Sequence, residues 1–329
     1  MTRGRVLSGM RPTGRLHLGH YHGVLLNWLK LQRGHECFFF VADWHALTSD
    51  YANPRDIASN IREMVIDWLS VGIDPVRSTI FLQSAVKEHA ELHLLLSMIT
   101  PLSWLERNPT YKEQVSEVTD KDLHTYGFLG YPVLQTADII IYKAAKVPVG
   151  LDQAPHLELS REITRRFNFL YGEVFPLPQT LLTEAPKLLG TDGRKMSKSY
   201  NNAIYLSDAP EDVEKKFLTM ITDPARKRRT DPGNPLLCPV YLTFHKLYSS
   251  KDTIVAVEAG CSDAGIGCIE CKKLVIPKVL ERLEPIQKKR EALTKDPSEI
   301  DRILDEGAAR AGSVANATMA EVRHAIGIG

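Results

Sequence analysis

The segment Val6-Leu7-Ser8-Gly9-Met10 runs into Arg11-Pro12-Thr13-Gly14-Arg15-Leu16-His17-Leu18-Gly19-His20, and far downstream the chain reads Lys195-Met196-Ser197-Lys198-Ser199. An apolar run, a turn with Pro and Gly, and two histidines at the head of a helical pattern form the layout in which a parallel sheet delivers a ligand to a helix N-terminus. Such a place suits phosphate. Two lysines three residues apart, beside glycine and hydroxyl groups, can neutralise a polyphosphate from the other side. Taken singly, a turn histidine or a loop lysine is more often an ordinary polar surface residue. The weight lies in the pair of segments.

Around the first segment, short apolar runs alternate with amphipathic stretches, as in βαβ units of a parallel sheet. Residues 5–10, 36–42 and 78–83 read as strands, and residues 19–31 and 54–71 read as helices. In the second helix Ile57, Ile61, Met64, Val65 and Trp68 recur at helical spacing behind Pro54 in a first turn. Residues 87–171 are mostly helical, with helices at 131–145 and 151–171 flanking the short apolar run Val147-Pro148-Val149-Gly150. The stretch 184–199 carries Pro186, Gly190 and Gly193 and reads as a mobile loop ahead of the lysines. After Ser207-Asp208-Ala209-Pro210 strand signals fade and the rest reads as helices. A final helix is marked by Asp296 as cap, Pro297 in the first turn, and Glu299, Ile300, Ile303 and Leu304 behind them.

The expected fold is therefore α/β, a Rossmann-like doubly wound parallel sheet with a helical insert, followed by an all-helical C-terminal domain. The expected division is 1–206 and 207–329, with the insert at about 87–180. The 329 residues are 43% hydrophobic and 25% charged, which suits a packed core. Lys+Arg 41 against Asp+Glu 40 leaves no overall basicity to announce a nucleic-acid partner, so such a partner needs a local patch. The strongest is Arg226-Lys227-Arg228-Arg229, readable as solvated surface or as a phosphate-tracking contact to RNA. Apolar runs such as Cys37-Phe38-Phe39-Phe40-Val41-Ala42 are too short for a bilayer and the N-terminus lacks a secretory pattern, so a cytoplasmic location without membrane contact is expected.

The two opening segments resemble the HIGH and KMSKS motifs of class I aminoacyl-tRNA synthetases. The resemblance implies ATP-dependent activation of an amino acid, with Mg²⁺ on the phosphates, followed by transfer to tRNA. His17, His20, Lys195 and Lys198 then take the catalytic positions, and Arg11, Thr13, Gly19, Met196 and Ser197 join His20 and the lysines around ATP. A substrate carboxylate attacking the α-phosphorus needs its own charge screened and the leaving pyrophosphate stabilised. Imidazoles, the Gly19 N–H and two ammonium groups are suited to that task. The family often has Thr or Asn where this chain has His17 or His20.

Tyr131-Pro132-Val133-Leu134-Gln135-Thr136-Ala137-Asp138, followed by Val147-Pro148-Val149-Gly150-Leu151-Asp152-Gln153, is similar to the tryptophanyl-tRNA synthetases. Tyr131, Gln135 and Asp138 share one helical face. An Asp inside Ala137-Asp138-Ile139-Ile140-Ile141 fits a solvated face poorly. By the resemblance Asp138 accepts the indole N–H of tryptophan, Tyr131, Gln135 and Gln153 gather around the α-amino and carboxylate end, and Val147, Val149 and His45 line the pocket. Tyrosyl-tRNA synthetases share the Tyr-x3-Gln-x2-Asp pattern but carry a tyrosine two residues before the glycine of the first strand. Here Leu7 precedes Gly9, which leaves a phenol short of a partner and favours tryptophan. The resemblance also implies a homodimer formed largely through the insert, tRNA(Trp) as partner, and an anticodon-binding role for the C-terminal helices.

Cys238, Cys261, Cys268 and Cys271 are separated by 22, 6 and 2 residues, while Cys37 sits alone in an apolar run. In a reducing compartment such a group points to metal before disulfide, and four thiolates suit either zinc or an iron–sulfur cluster. The spacing resembles a subset of bacterial tryptophanyl-tRNA synthetases that carry a 4Fe-4S cluster beside the anticodon-binding helices. That resemblance puts the cluster first and Zn²⁺ second.

Overall fold

The computed structural model describes residues 4–117, 121–150, 154–182 and 187–328. They fall into two compact units, one of Met1–Gly14, Asn27–Glu184 and Asp296–Gly329, the other of Arg15–Leu26 and Ala185–Lys295. The sequence reading divides the chain once, near residue 206, whereas each unit here is assembled from separated segments.

The first unit is built on a parallel sheet of β1 (Arg5–Met10), β2 (Glu36–Val41), β3 (Ser78–Leu82), β4 (Lys146–Val149) and β5 (Gln179–Leu182), in the order β3-β2-β1-β4-β5. Cys37 to Val41 are all buried, as expected of a strand covered on both faces, and Cys37 is a core residue with 1% exposure. The order reverses between β1 and β4. In open α/β sheets that reversal opens a crevice at the carboxyl ends of the strands. The Ile57–Val71 helix stops at Gly72, whose φ of +113° carries the chain out of the helix while its N–H donates to Leu69 O.

Several elements differ from the sequence reading, which takes β4 as a short apolar run and does not mark β5 as a strand. The helix expected at 131–145 spans Tyr126–Ile141, because the Thr125 hydroxyl caps it by accepting the Phe128 N–H at 3.2 Å, and Lys143 at φ +49° ends it. The final helix, Pro297–Ile326, belongs to the first unit rather than to a separate helical domain. Its buried Ala311, Ala315, Met319 and Val322 join the core that holds Phe81. Close approach is the reason: a Cβ at Gly307 would stand 1.7 Å from the carbonyl oxygen of Ile80 on β3. Fading strand signals report secondary structure and say nothing about which core a helix joins.

In the second unit the segment around His17 pairs with residues 204–206, through Leu18 N–H to Ile204 O at 2.9 Å and Leu206 N–H to Leu16 O at 3.0 Å. The expected 19–31 helix is present in three parts, Leu18–His20, a π-helical Tyr21–Leu25 and Leu26–Leu31. Helices Pro210–Thr219, Lys251–Ser262 and Cys268–Lys295 complete this unit's longer elements. Lys272, only 4% exposed, directs its ammonium to Leu218 O and Met220 O and so satisfies carbonyls at the end of the Pro210–Thr219 helix. Among the described residues no helix is long and apolar enough to cross a membrane.

Candidate active site

In the first unit, Asp138 lies on the Tyr126–Ile141 helix and is 1% exposed. Its Oδ1 is 2.6 Å from His89 Nδ1 and its Oδ2 is 2.8 Å from His45 Nε2, while Gln83 Nε2 donates to both oxygens at 2.8 and 3.0 Å. Burial alone would push this carboxyl up; the hydrogen bonds and charges of His45 and His89 outweigh it and hold the group well below the usual carboxylate range. A buried carboxylate that stays ionised is an acceptor only. The amide oxygen of Gln83 is buried with no hydrogen-bond partner. His89 and Gln83 went unrecognised in the sequence because 55 and 49 residues separate them from Asp138, respectively for Gln83 and His89.

Leu7 and Val147 are buried in the same core as Ala137, with Val149 packed against it. Gly9 faces Phe40 across the sheet, and a Cβ there would stand 2.4 Å from the Phe40 ring, so the ring lies over β1 only because residue 9 has no side chain. Tyr131 is buried and Gln135 half-buried on the helix that bears Asp138. Gln153 lies outside the described residues.

The Tyr131 hydroxyl is 2.9 Å from His156 Nε2, and His156 Nδ1 is 3.2 Å from Asn108 Nδ2. Thr110 N–H donates to Asn108 Oδ1 at 3.0 Å, which fixes that amide's orientation because a backbone N–H can only donate. Asn108 therefore donates to His156 Nδ1, the ring proton sits on Nε2, and Nε2 donates to the Tyr131 oxygen. The phenolic proton is left to point elsewhere. Burial raises the Tyr131 hydroxyl well above its ordinary value, opposed by the Arg11 charge, so it remains a proton donor. Arg11 is exposed, its Nη1 3.4 Å from Ser49 Oγ, and Thr13 is exposed beside it.

The second unit carries the histidine and lysine segments. The rings of His17 and His20 are 3.9 Å apart between centroids. His17 Nδ1 accepts from Gly19 N–H at 3.1 Å and His20 Nδ1 accepts from His17 N–H at 3.2 Å. Each ring therefore carries its proton on Nε2. Burial, then the Lys198 charge, lowers His17 to about 4, and burial, His17 and Lys198 push His20 well below its ordinary value. At neutral pH both are uncharged donors rather than cations. The Gly19 N–H, expected to face phosphate, is instead spent on His17. Gly19 is needed for a different reason, since a Cβ there would stand 2.8 Å from the His17 ring.

Lys195 is exposed, Met196 is 4% exposed, and Lys198 is half-buried. Their loop is tied down where the sequence suggests mobility: Met196 N–H donates to Leu188 O at 2.8 Å, Gly190 N–H to Arg194 O at 2.7 Å and Ser197 N–H to Asn202 Oδ1 at 2.8 Å. Residues 183–186 of the expected loop lie outside the described residues.

Cys238, Cys261, Cys268 and Cys271 line one cavity of about 20 Å³ together with Arg226. Arg226 Nη1 is 3.9 Å from both Cys261 Sγ and Cys268 Sγ. Burial first, then the neighbouring sulfurs, pushes Cys271 up to about 12. As arranged, no group of three or more His, Cys, Asp or Glu among the described residues is set to hold a metal ion. The metal geometry expected from the spacing is therefore not preformed among the described residues, although the four cysteines line one cavity.

The basic run is largely occupied. Arg226 Nη2 donates to Arg229 O and Ile266 O, and Arg229 Nη2 donates to Gly265 O and lies 3.3 Å from Glu270. Lys227 and Arg228 are left exposed.

Comparison with known proteins places these groups in a family context. A family model described as tRNA synthetases class I (W and Y) matches residues 2–284. The chain is 54% identical to the tryptophan–tRNA ligase of Thermotoga maritima over 98% of its own length and 99% of the relative's. It is 47% identical to that of Aquifex aeolicus over 98% and 100%. Among solved structures it is similar to the tryptophanyl-tRNA synthetase of Campylobacter jejuni complexed with ADP and tryptophan, with a TM-score of 0.89, 33% identity, and coverage of 98% of this chain and 100% of that one.

Proposed function

Since the chain belongs to the class I tRNA synthetases of the tryptophan and tyrosine branch, we propose that it activates L-tryptophan with ATP and transfers it to tRNA(Trp). The observation that carries the choice of amino acid is the buried, ionised Asp138 combined with Leu7 on β1. An indole N–H can only donate, and it takes one of the carboxylate contacts that Gln83 now spreads over both oxygens. A phenol would need a second partner, and the aliphatic side chain of Leu7 offers none.

In the first step the tryptophan carboxylate attacks the α-phosphorus of ATP, giving tryptophanyl-adenylate and pyrophosphate; in the second the 3′-terminal ribose hydroxyl of tRNA attacks the adenylate carbonyl and releases AMP. Tyr131, with its free phenolic proton, and Gln135 orient the amino-acid end together with Gln153. Uncharged His17 and His20 donate from Nε2 to phosphate oxygens, so they orient without adding charge. Lys195 and Lys198 supply the charge that grows in demand as pyrophosphate leaves. Mg²⁺, bound with ATP, neutralises phosphate charge.

The four cysteines are read as ligands of a metal centre, a 4Fe-4S cluster first and Zn²⁺ as the alternative. Support comes from Arg226, whose guanidinium faces two sulfurs and suits thiolates rather than thiols. When bound, the centre would hold the surrounding helices together. A homodimer is proposed through the insert, whose Leu94, Met98 and Leu102 are more than half exposed. The role implies a cytoplasmic location.

Exchange of labelled pyrophosphate into ATP, run with each standard amino acid, tests the reading. Tryptophan alone should support exchange. Preference for tyrosine would establish the tyrosyl alternative, and no exchange with any amino acid would leave a non-catalytic RNA-binding paralogue.

A further inference from the structure

We propose that Asn202 is the positioning residue that sets Lys195 and Lys198 against His17 and His20. The inference rests on the adenylation reading given above. Asn202 is 1% exposed, and its side chain reaches both sides of the lysine segment. Its Oδ1 accepts the Ser197 N–H at 2.8 Å, and its Nδ2 donates to Lys195 O at 3.1 Å and to Asp192 Oδ1 at 2.7 Å. The Ser197 N–H can only donate, so the amide's orientation is determined. Its backbone oxygen also accepts the Thr191 N–H at 2.9 Å.

Little slack remains around this amide. A Cβ at Gly190 would stand 2.3 Å from Asn202 Cγ, so the loop closes over the side chain only because residue 190 is glycine. The chain reaches Asn202 through Asn201 at φ +49°, a conformation asparagine tolerates better than most residues, with Asn201 N–H donating to Lys198 O at 3.0 Å. Two residues beyond Asn202, Ile204 O receives the Leu18 N–H, and Tyr205 pairs with His17. Asn202 thus joins the backbone of one motif to the segment that holds the other. The Lys198 charge bears on both imidazoles, which is the relationship this linkage preserves.

Because Asn202 acts through the lysines, its loss should matter less once Lys198 is gone, when only Lys195 is left to be placed. Single-turnover adenylate formation is measured for wild type, Asn202→Ala, Lys198→Ala and the double variant, with thermal unfolding of each. Asn202→Ala should lower the adenylation rate by about 10-fold or more and leave the KM for tryptophan within about twofold, whereas in the Lys198→Ala background the same change should cost less than about threefold. Asn202→Asp keeps the volume and the acceptor for Ser197 but sets a carboxylate against Asp192, so it should show the same coupling and serves if the alanine variant does not fold. Full multiplicative losses in the double variant, or a raised KM for tryptophan at unchanged rate, would overturn the proposal. If Lys198→Ala alone leaves adenylation intact, the adenylation role of the loop fails first and this inference falls with it.

Discussion

His89 Nδ1 stands 2.6 Å from Asp138 Oδ1, and through this contact the buried carboxylate is tied to a second buried group, since His89 Nε2 lies 2.7 Å from the Tyr142 hydroxyl. The carboxylate cannot donate, so His89 Nδ1 carries a proton and donates it to Asp138. A chain of hydrogen bonds therefore ends on Asp138 and keeps it an acceptor.

Asp138→Ala should weaken tryptophan binding by about 1–3 kcal/mol, the cost of leaving a buried donor unpaired, while ATP binding stays near normal. The sharper comparison uses a tryptophan analogue in which sulfur replaces the indole N–H. Wild type should reject it, and the variant should tolerate it relatively better; equal discrimination by both proteins would remove Asp138 from indole recognition.

Lys198→Ala should lower adenylation by about 100-fold or more, with little change in tryptophan affinity, because the ammonium works on charge that develops on the leaving pyrophosphate. Stopped-flow adenylation and equilibrium binding separate the two quantities. A loss confined to tryptophan binding would contradict this role.

The folded-state value of His17, about 4, lies below its ordinary 6.5. The unfolded chain then binds the extra proton first, so stability associated with the neutral ring is complete above pH 6.5 and is lost as pH falls towards about 4. His20 shifts in the same direction. Urea unfolding should show wild type losing more stability between roughly pH 7 and 5 than His17→Asn. Neither His17 nor His20 should give the adenylation rate an inflection near 6.5.

Gly307→Ala should destabilise the protein by about 1–3 kcal/mol, since the new methyl must displace the backbone of β3 or the helix itself. Gly312 lies on the same helix, and a Cβ there meets nothing within 4 Å. Gly312→Ala should instead raise stability by about 0.5–1 kcal/mol through lower unfolded-state entropy. Opposite signs in chemical denaturation are the expected result.

Anaerobically purified protein should contain iron and sulfide and absorb broadly in the visible; stoichiometric zinc without colour would establish the alternative. Cys268→Ser should lose the metal and impair tRNA charging more than adenylate formation. Equal loss of both activities would place the centre in the chemistry of activation.

The sequence by itself marked β1 to β3 of the parallel sheet, because their short apolar runs alternate with amphipathic helical stretches, whereas β4 and β5 did not stand out as strands. It also singled out His17, His20, Lys195 and Lys198 through the pairing of two segments, and Asp138 as a charge inside an apolar run. Tertiary structure alone decided their state. Histidine's charge depends on burial and on which backbone N–H reaches Nδ1, and neither is encoded by spacing along the chain. Gln83, His89 and Asn202 meet partners that only the fold brings near, so no local pattern marked them. The final helix reads from its sequence as one more amphipathic helix of the C-terminal region. Which core it joins was settled by the missing side chain at Gly307, where backbone meets backbone.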